Sequence, residues 1–259
     1  HQALATEARL QEALLQAELY ETLGDIYHKL GELNRSDQLF NLAIERRRSV
    51  PSSDQATAGT LVALGLLRVD QARLDEAESL VRQGLSVVER RLPPGHPDIA
   101  AALDALGRVL MEKGDYDDAI SVLERSVQIR STPDNSPGAL AGSQYELANA
   151  YFYAGRYKDS ERLNLDVLDL SRRIYGPNHP RVAEALINLG AIHQDLGHYS
   201  DAERFHREGC EEDGDGHEDA GDAVGEAGDR RLAGSGGAHR LGDGGEAGGG
   251  TDRGHPHQQ

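Results

Sequence analysis

The chain has 259 residues, 38% hydrophobic and 27% charged, with a formal net charge of -17 and no Trp. This suits one or two ordinary domains or one long array of small units, and its acidity argues against nucleic-acid or anionic-membrane binding. A single cysteine, Cys210, excludes an internal disulfide framework and a Cys-based zinc site, and no apolar stretch approaches the roughly 20 residues that span a bilayer.

From the start of the chain, residues 6–24 carry a helical pattern that leads into five similar units. A Leu followed by Gly or Ala recurs at Leu23-Gly24, Leu64-Gly65, Leu106-Gly107, Leu147-Ala148 and Leu189-Gly190, in steps of 41, 42, 41 and 42. The same steps relate Leu33, Leu74, Tyr116, Tyr157 and Tyr199. They also relate the small residues Ser36, Ala77, Ala119, Ser160 and Ala202, and the apolar Leu39, Leu80, Val122, Leu163 and Phe205. Four tracks sharing one irregular set of steps define a five-unit array over residues 1–212, with units at about 12–50, 54–92, 97–131, 137–174 and 180–212.

Each unit reads as two helices. In the third, Ile99, Leu103, Leu106, Val109 and Leu110 form one stripe between Pro97 and Lys113, Gly114 ends that helix, and Ala119, Ile120, Leu123 and Val127 mark the next. Gly31, Gly155 and Gly197 take the same turn in other units; Ala72 replaces them in the second, where a left-handed backbone costs roughly 1 kcal/mol. Ser136-Pro137, His96-Pro97 and His179-Pro180 put a proline at helix starts, where its missing N–H costs nothing, so the two histidines read as caps. Gly107 and Ala119 are expected to leave the crossing free of bulk, with Tyr116, Tyr157 and Tyr199 closing the interface.

The expectation is therefore an all-α fold, a solenoid of about five helix-turn-helix repeats, followed at 213–259 by a disordered acidic tail. That tail holds 15 of the 30 Gly and no aromatic residue, too little apolar surface to fold. Aligning the fifth unit on the third sets Ser126 opposite Gly209, so the last helix ends where the glycine begins. Two origins stay open: a flexible linker, or an out-of-frame segment that replaces a further repeat.

The tracks and turns resemble the tetratricopeptide repeat, and the longer period with the loops Gly95-His96-Pro97-Asp98 and Gly176-Pro177-Asn178-His179-Pro180 resembles its kinesin-light-chain type. The resemblance covers about 12–212 and implies a right-handed superhelix whose first helices line a concave groove for a protein or peptide partner. By the family's groove positions the candidate contacts are Asp104, Arg108, Tyr145, Glu146, Asn149, Tyr153, Asn188, Gln194 and Asp195. Asn149 and Asn188 lead, because an amide pairs with both N–H and C=O of an extended peptide. Asn149 could equally be a solvated helix residue, and the tyrosines packing groups. Only Arg108 fits a carboxylate clamp, so the groove suits a neutral or basic segment.

No catalytic constellation emerges. Cys210 has no evident His partner, His96 and His179 lie two units apart, and the Gly-Ser-Gly-Gly run at 234–237 follows no strand, so no enzyme, metal site or cofactor is expected. Similar arrays form the C-terminal arms of some bacterial Ser/Thr protein kinases, and a sensor or docking arm of such a kinase is the alternative reading. The Gly-rich, His-Arg-Asp and Asp-Phe-Gly motifs of the catalytic domain are absent from this chain. A third is self-association through exposed terminal units. The chain begins with His1 rather than Met and shows no signal peptide, which reads as a piece of a cytoplasmic protein.

Overall fold

The computed structural model describes residues 2–48, 50, 53–133 and 135–212; the tail expected at 213–259 lies outside the described residues. Ten helices follow one another there without a strand. They are α1 (Gln2–Lys29), α2 (Leu33–Arg48), α3 (Asp54–Asp70), α4 (Leu74–Arg91), α5 (Pro97–Lys113), α6 (Tyr116–Arg130), α7 (Pro137–Tyr153), α8 (Tyr157–Tyr175), α9 (Pro180–Asp195) and α10 (Tyr199–Glu212).

Their boundaries follow from local chemistry. Pro97, Pro137 and Pro180 open α5, α7 and α9. The Nδ1 atoms of His96 and His179 accept the amide protons of Asp98 and Arg181 at 3.1 and 3.2 Å, so both histidines cap as expected. All five hairpin turns share one bonding pattern. In the third, the Gly114 amide donates to Met111 O at 3.0 Å and the Asp115 amide to Leu110 O at 2.9 Å. The second turn keeps the same pair, the Ala72 amide donating to Val69 O and the Arg73 amide to Arg68 O, while Ala72 holds φ at 57°, the one positive φ outside glycine among the described residues. The turn geometry therefore overrides the residue, as its place in the repeat implies.

Within a hairpin the close approach is set by residues 16 apart, and here the expected pairing is corrected. A Cβ on Gly107 would lie 2.5 Å from Leu123 Cγ, so the bulk that enters this gap is Leu123, one turn beyond Ala119. Phe40 stands likewise against Gly24, Val81 against Gly65 and His206 against Gly190. In the fourth hairpin the same two positions hold Ala148 and Asn164, both buried.

Tyr116 and Tyr157 are covered by rings of the fourth hairpin, Tyr153 and Phe152 respectively, with centroids 5.8 and 5.6 Å apart. Tyr199 closes nothing: it is 71% exposed, because no following hairpin stands against it among the described residues.

Each second helix packs on the first helix of the next hairpin, as α2 on α3, α4 on α5, α6 on α7 and α8 on α9. One core of apolar side chains runs from Ala58 through Leu106 and Leu123 to Leu163, flanked by smaller clusters around Phe40 and around Leu186. First helices also touch one another, α1 with α3, α3 with α5 and α5 with α7, whereas second helices do not come as close. The first helices therefore form the inner wall of the array.

Candidate inner-wall binding site

The inner wall is joined by side chains reaching from one first helix to the next. The His28 ring bonds the Asp70 carboxylate between α1 and α3, and Gln55 Nε2 donates to Asp98 Oδ2 at 2.9 Å between α3 and α5. Ser143 Oγ donates to Asp104 Oδ2 at 2.9 Å between α7 and α5, and Asn188 Nδ2 to Asn149 Oδ1 at 2.9 Å between α9 and α7.

These bonds decide what the sequence-based candidates do. Asn149 and Asn188 are brought together and bond each other; behind them the buried Asn164 offers its Oδ1 3.5 Å from Asn188 Nδ2 and donates to Ser160 O at 3.0 Å. Tyr145 completes this polar run; its phenol is pushed above its ordinary range by burial, against the pull of hydrogen bonds from Asn149 and Asn188. Asp104 accepts from Arg130 Nη2 at 2.9 Å as well as from Ser143, which ties the third hairpin to the fourth.

Glu146 and Arg108 lie on the wall near Arg181 and Glu184. Burial raises the Glu146 carboxyl above the usual carboxylate range, with Asp104 and Glu184 adding to the rise while Arg108 and Arg181 oppose it. Tyr153, Gln194 and Asp195 stand apart from this group, at the C-terminal ends of α7 and α9 beside the turns. Tyr153 is stacked on Tyr116, so part of its ring is spent on packing.

Another opening on the wall lies elsewhere. A cavity of about 650 Å³ between α3 and α5 is lined by Ala56, Ala58, Gly59, Val62, Ala101 and Ala102, with Val88 behind it. Glu21 and Arg47, which bond each other, and Gln55 and Asp98, which do likewise, complete the lining. Arg47 is buried and satisfied: Nη2 donates to Glu21 Oε2 at 2.5 Å, Nη1 to Ala56 O at 3.1 Å and also to Thr60 Oγ1. A signal for this opening exists in the sequence, since Gly59, Ala101 and Gly142 occupy one position of successive repeats. Small side chains on a solvent-facing helix surface leave room that a partner's side chain can fill.

Among the described residues no group of three or more His, Cys, Asp or Glu is placed to hold a metal ion, and no helix is long and apolar enough to cross a membrane.

Tandem helical hairpins, a shared turn and an inner wall of first helices define an α-solenoid of stacked two-helix repeats. A tetratricopeptide repeat family model matches residues 15–90, 56–132 and 140–211, and the chain belongs to that family. It is 29% identical over 184 residues to kinesin light chain-related protein 3 of Arabidopsis thaliana, covering 71% of this chain and 28% of that protein. The related protein 2 of the same plant is 29% identical over 143 residues, covering 53% and 21%. The chain thus spans less than a third of either relative. Among solved structures, kinesin light chain repeats of Podospora anserina superpose with a TM-score of 0.65 at 20% identity, covering 75% of this chain and 93% of that one. A Rap protein complexed with Competence and Sporulation Factor superposes with a TM-score of 0.66 at 15% identity, covering 77% and 54%. These likenesses are likenesses of fold.

Proposed function

We propose that the array is a protein-interaction scaffold whose inner wall holds an extended, neutral or basic segment of another protein. The observation that carries this reading is the 650 Å³ cavity between α3 and α5, floored by small side chains and open to solvent. An anchoring side chain of the partner enters it, and the partner's main chain runs on along α7 towards the amides of Asn149 and Asn188. The net charge of -17 favours a partner segment without excess acid. The Rap protein solved in complex with a factor supports the reading by fold alone.

A displayed library of extended peptides supplies the probe. The selected sequences are expected to be neutral or basic and to share one bulky side chain. Gly59→Leu, whose added Cβ meets no atom within 4 Å, puts a branched side chain into the cavity and is expected to weaken binding by roughly tenfold or more. Selection of acidic peptides, or full affinity in Gly59→Leu, would remove the proposal. Hydrogen exchange gives a second readout: bound peptide is expected to slow exchange in α3, α5 and α7, and protection confined to α4, α6 and α8 counts against the inner wall.

A further inference from the structure

The outer face of α1 carries an apolar stripe that no other part of the described chain covers. Leu15, Leu19, Ile26 and Leu30 are 68%, 56%, 47% and 69% exposed. At about 100° per residue, these four and the exposed Thr22 fall within about 80° of one helix surface. The repeat shows what such a face does elsewhere. Ile26 corresponds to Leu67, Val109, Ala150 and Ile192, and Leu19 to Thr60, Ala102, Ser143 and Ala185; all eight are buried beneath the preceding hairpin's second helix.

A preceding hairpin joined in the usual way does not fit over α1. The loops at 92–96 and 176–179, which let a second helix fold back on the next first helix, correspond to positions within 9–13, and α1 is continuous helix there. The cover must therefore come from a helix laid against α1 from outside this register.

We infer that it is α1 of a second copy of the chain, paired antiparallel about a two-fold axis that passes between Thr22 and Leu23. The stripe is symmetric about that point. Leu19 and Ile26 lie three and a half residues on either side of it, and Leu15 and Leu30 seven and a half, so the axis sets Leu19 against Ile26 and Leu15 against Leu30. A two-fold contact needs a surface complementary to itself, and this spacing supplies one. The flank agrees. Glu18 and Lys29 are exposed on the same side of the stripe, and the axis sets them about two residues, roughly 3 Å, apart along the helices, twice per dimer.

Sedimentation of the full chain over a concentration series tests the pairing. The expected result is a reversible rise from 28.0 kDa to twice that mass and no further. Ile26→Glu and Leu19→Gln, both at exposed positions, are expected to hold the chain at the single mass with helicity unchanged and with a melting temperature that, unlike the parent's, does not vary with concentration. Cysteine pairs fix the orientation. In a Cys210→Ser background, Thr22→Cys is expected to form a disulfide-linked dimer under mild oxidation. Leu15→Cys alone is expected not to, because its two copies lie about 22 Å apart along the helix axes. A mixture of Leu15→Cys and Leu30→Cys chains is expected to link. A single mass at every concentration overturns the inference, as do species beyond the dimer, a dimer that survives Ile26→Glu, or self-linking of Leu15→Cys.

Discussion

Leu123 occupies the space beside Gly107 that a single methyl group would need: a Cβ added to Gly107 would stand 2.5 Å from Leu123 Cγ. Gly59 sits equally within a helix, but a Cβ there meets nothing within 4 Å. The two glycines should therefore respond in opposite senses to the same substitution. Gly107→Ala is expected to cost about 1–3 kcal/mol, because overpacking outweighs the better helix propensity of Ala. Gly59→Ala is expected to gain about 0.5–1 kcal/mol from propensity alone. Urea unfolding of both variants beside the parent chain measures the difference.

Ala72 holds a left-handed backbone at φ 57° where four other turns use glycine. Ala72→Gly relieves that strain and is expected to stabilise by roughly 0.5–1 kcal/mol, the reverse of the usual cost of glycine. Gly114→Ala, placing a side chain at φ 84°, should destabilise by a similar amount or more. Thermal unfolding of the pair provides the check.

Asp104 offers one carboxylate oxygen to both Arg130 and Ser143, and Arg130 is largely buried. Asp104→Ala leaves that guanidinium without its counter-charge and is expected to cost about 2–4 kcal/mol. Asp104→Asn keeps an acceptor for Ser143 and should lose less. Loss of stability equal in both variants would show that charge, rather than the hydrogen bonds, holds the third and fourth hairpins together.

Glu146 gives the pH dependence. Its carboxyl sits above its ordinary range, so the folded chain binds its proton more tightly than the unfolded chain does. Stability therefore falls as pH rises through the window that begins near the unperturbed value of 4.5 and ends at the raised one. Above that window the cost is fully present; below it both states are protonated and the cost vanishes. Glu146→Gln is expected to raise the melting temperature at pH 7 and to leave it nearly unchanged below pH 4. A larger gain at the acidic end would contradict the assignment.

The array was legible because a solenoid repeats its packing, and the Leu-Gly steps and turn glycines report that packing directly. Pairings across the register were not. Gly107 invited Ala119 as its neighbour because both are small, whereas the helix crossing places a large residue in the gap. Asn149 and Asn188 each looked free to meet a peptide; only the distance between α7 and α9 shows that they bond each other. The cavity between α3 and α5 left only a partial signal, the small residues recurring at Gly59, Ala101 and Gly142. Ala56, Gly59 and Ala101 match the small residues of a close helix crossing, and nothing in their identity tells an empty space from a filled one. Tyr199 repeats Tyr116 in sequence but meets no partner hairpin among the described residues, so identical letters take different environments.

The side-chain links along the inner wall also bear on mechanical behaviour. Among the described residues, bonds such as Gln55 to Asp98, Ser143 to Asp104 and Asn188 to Asn149 cross the wall between neighbouring first helices, while the apolar core lies between first and second helices. Each hairpin meets mainly its neighbours, so small changes in these polar links add up along the array.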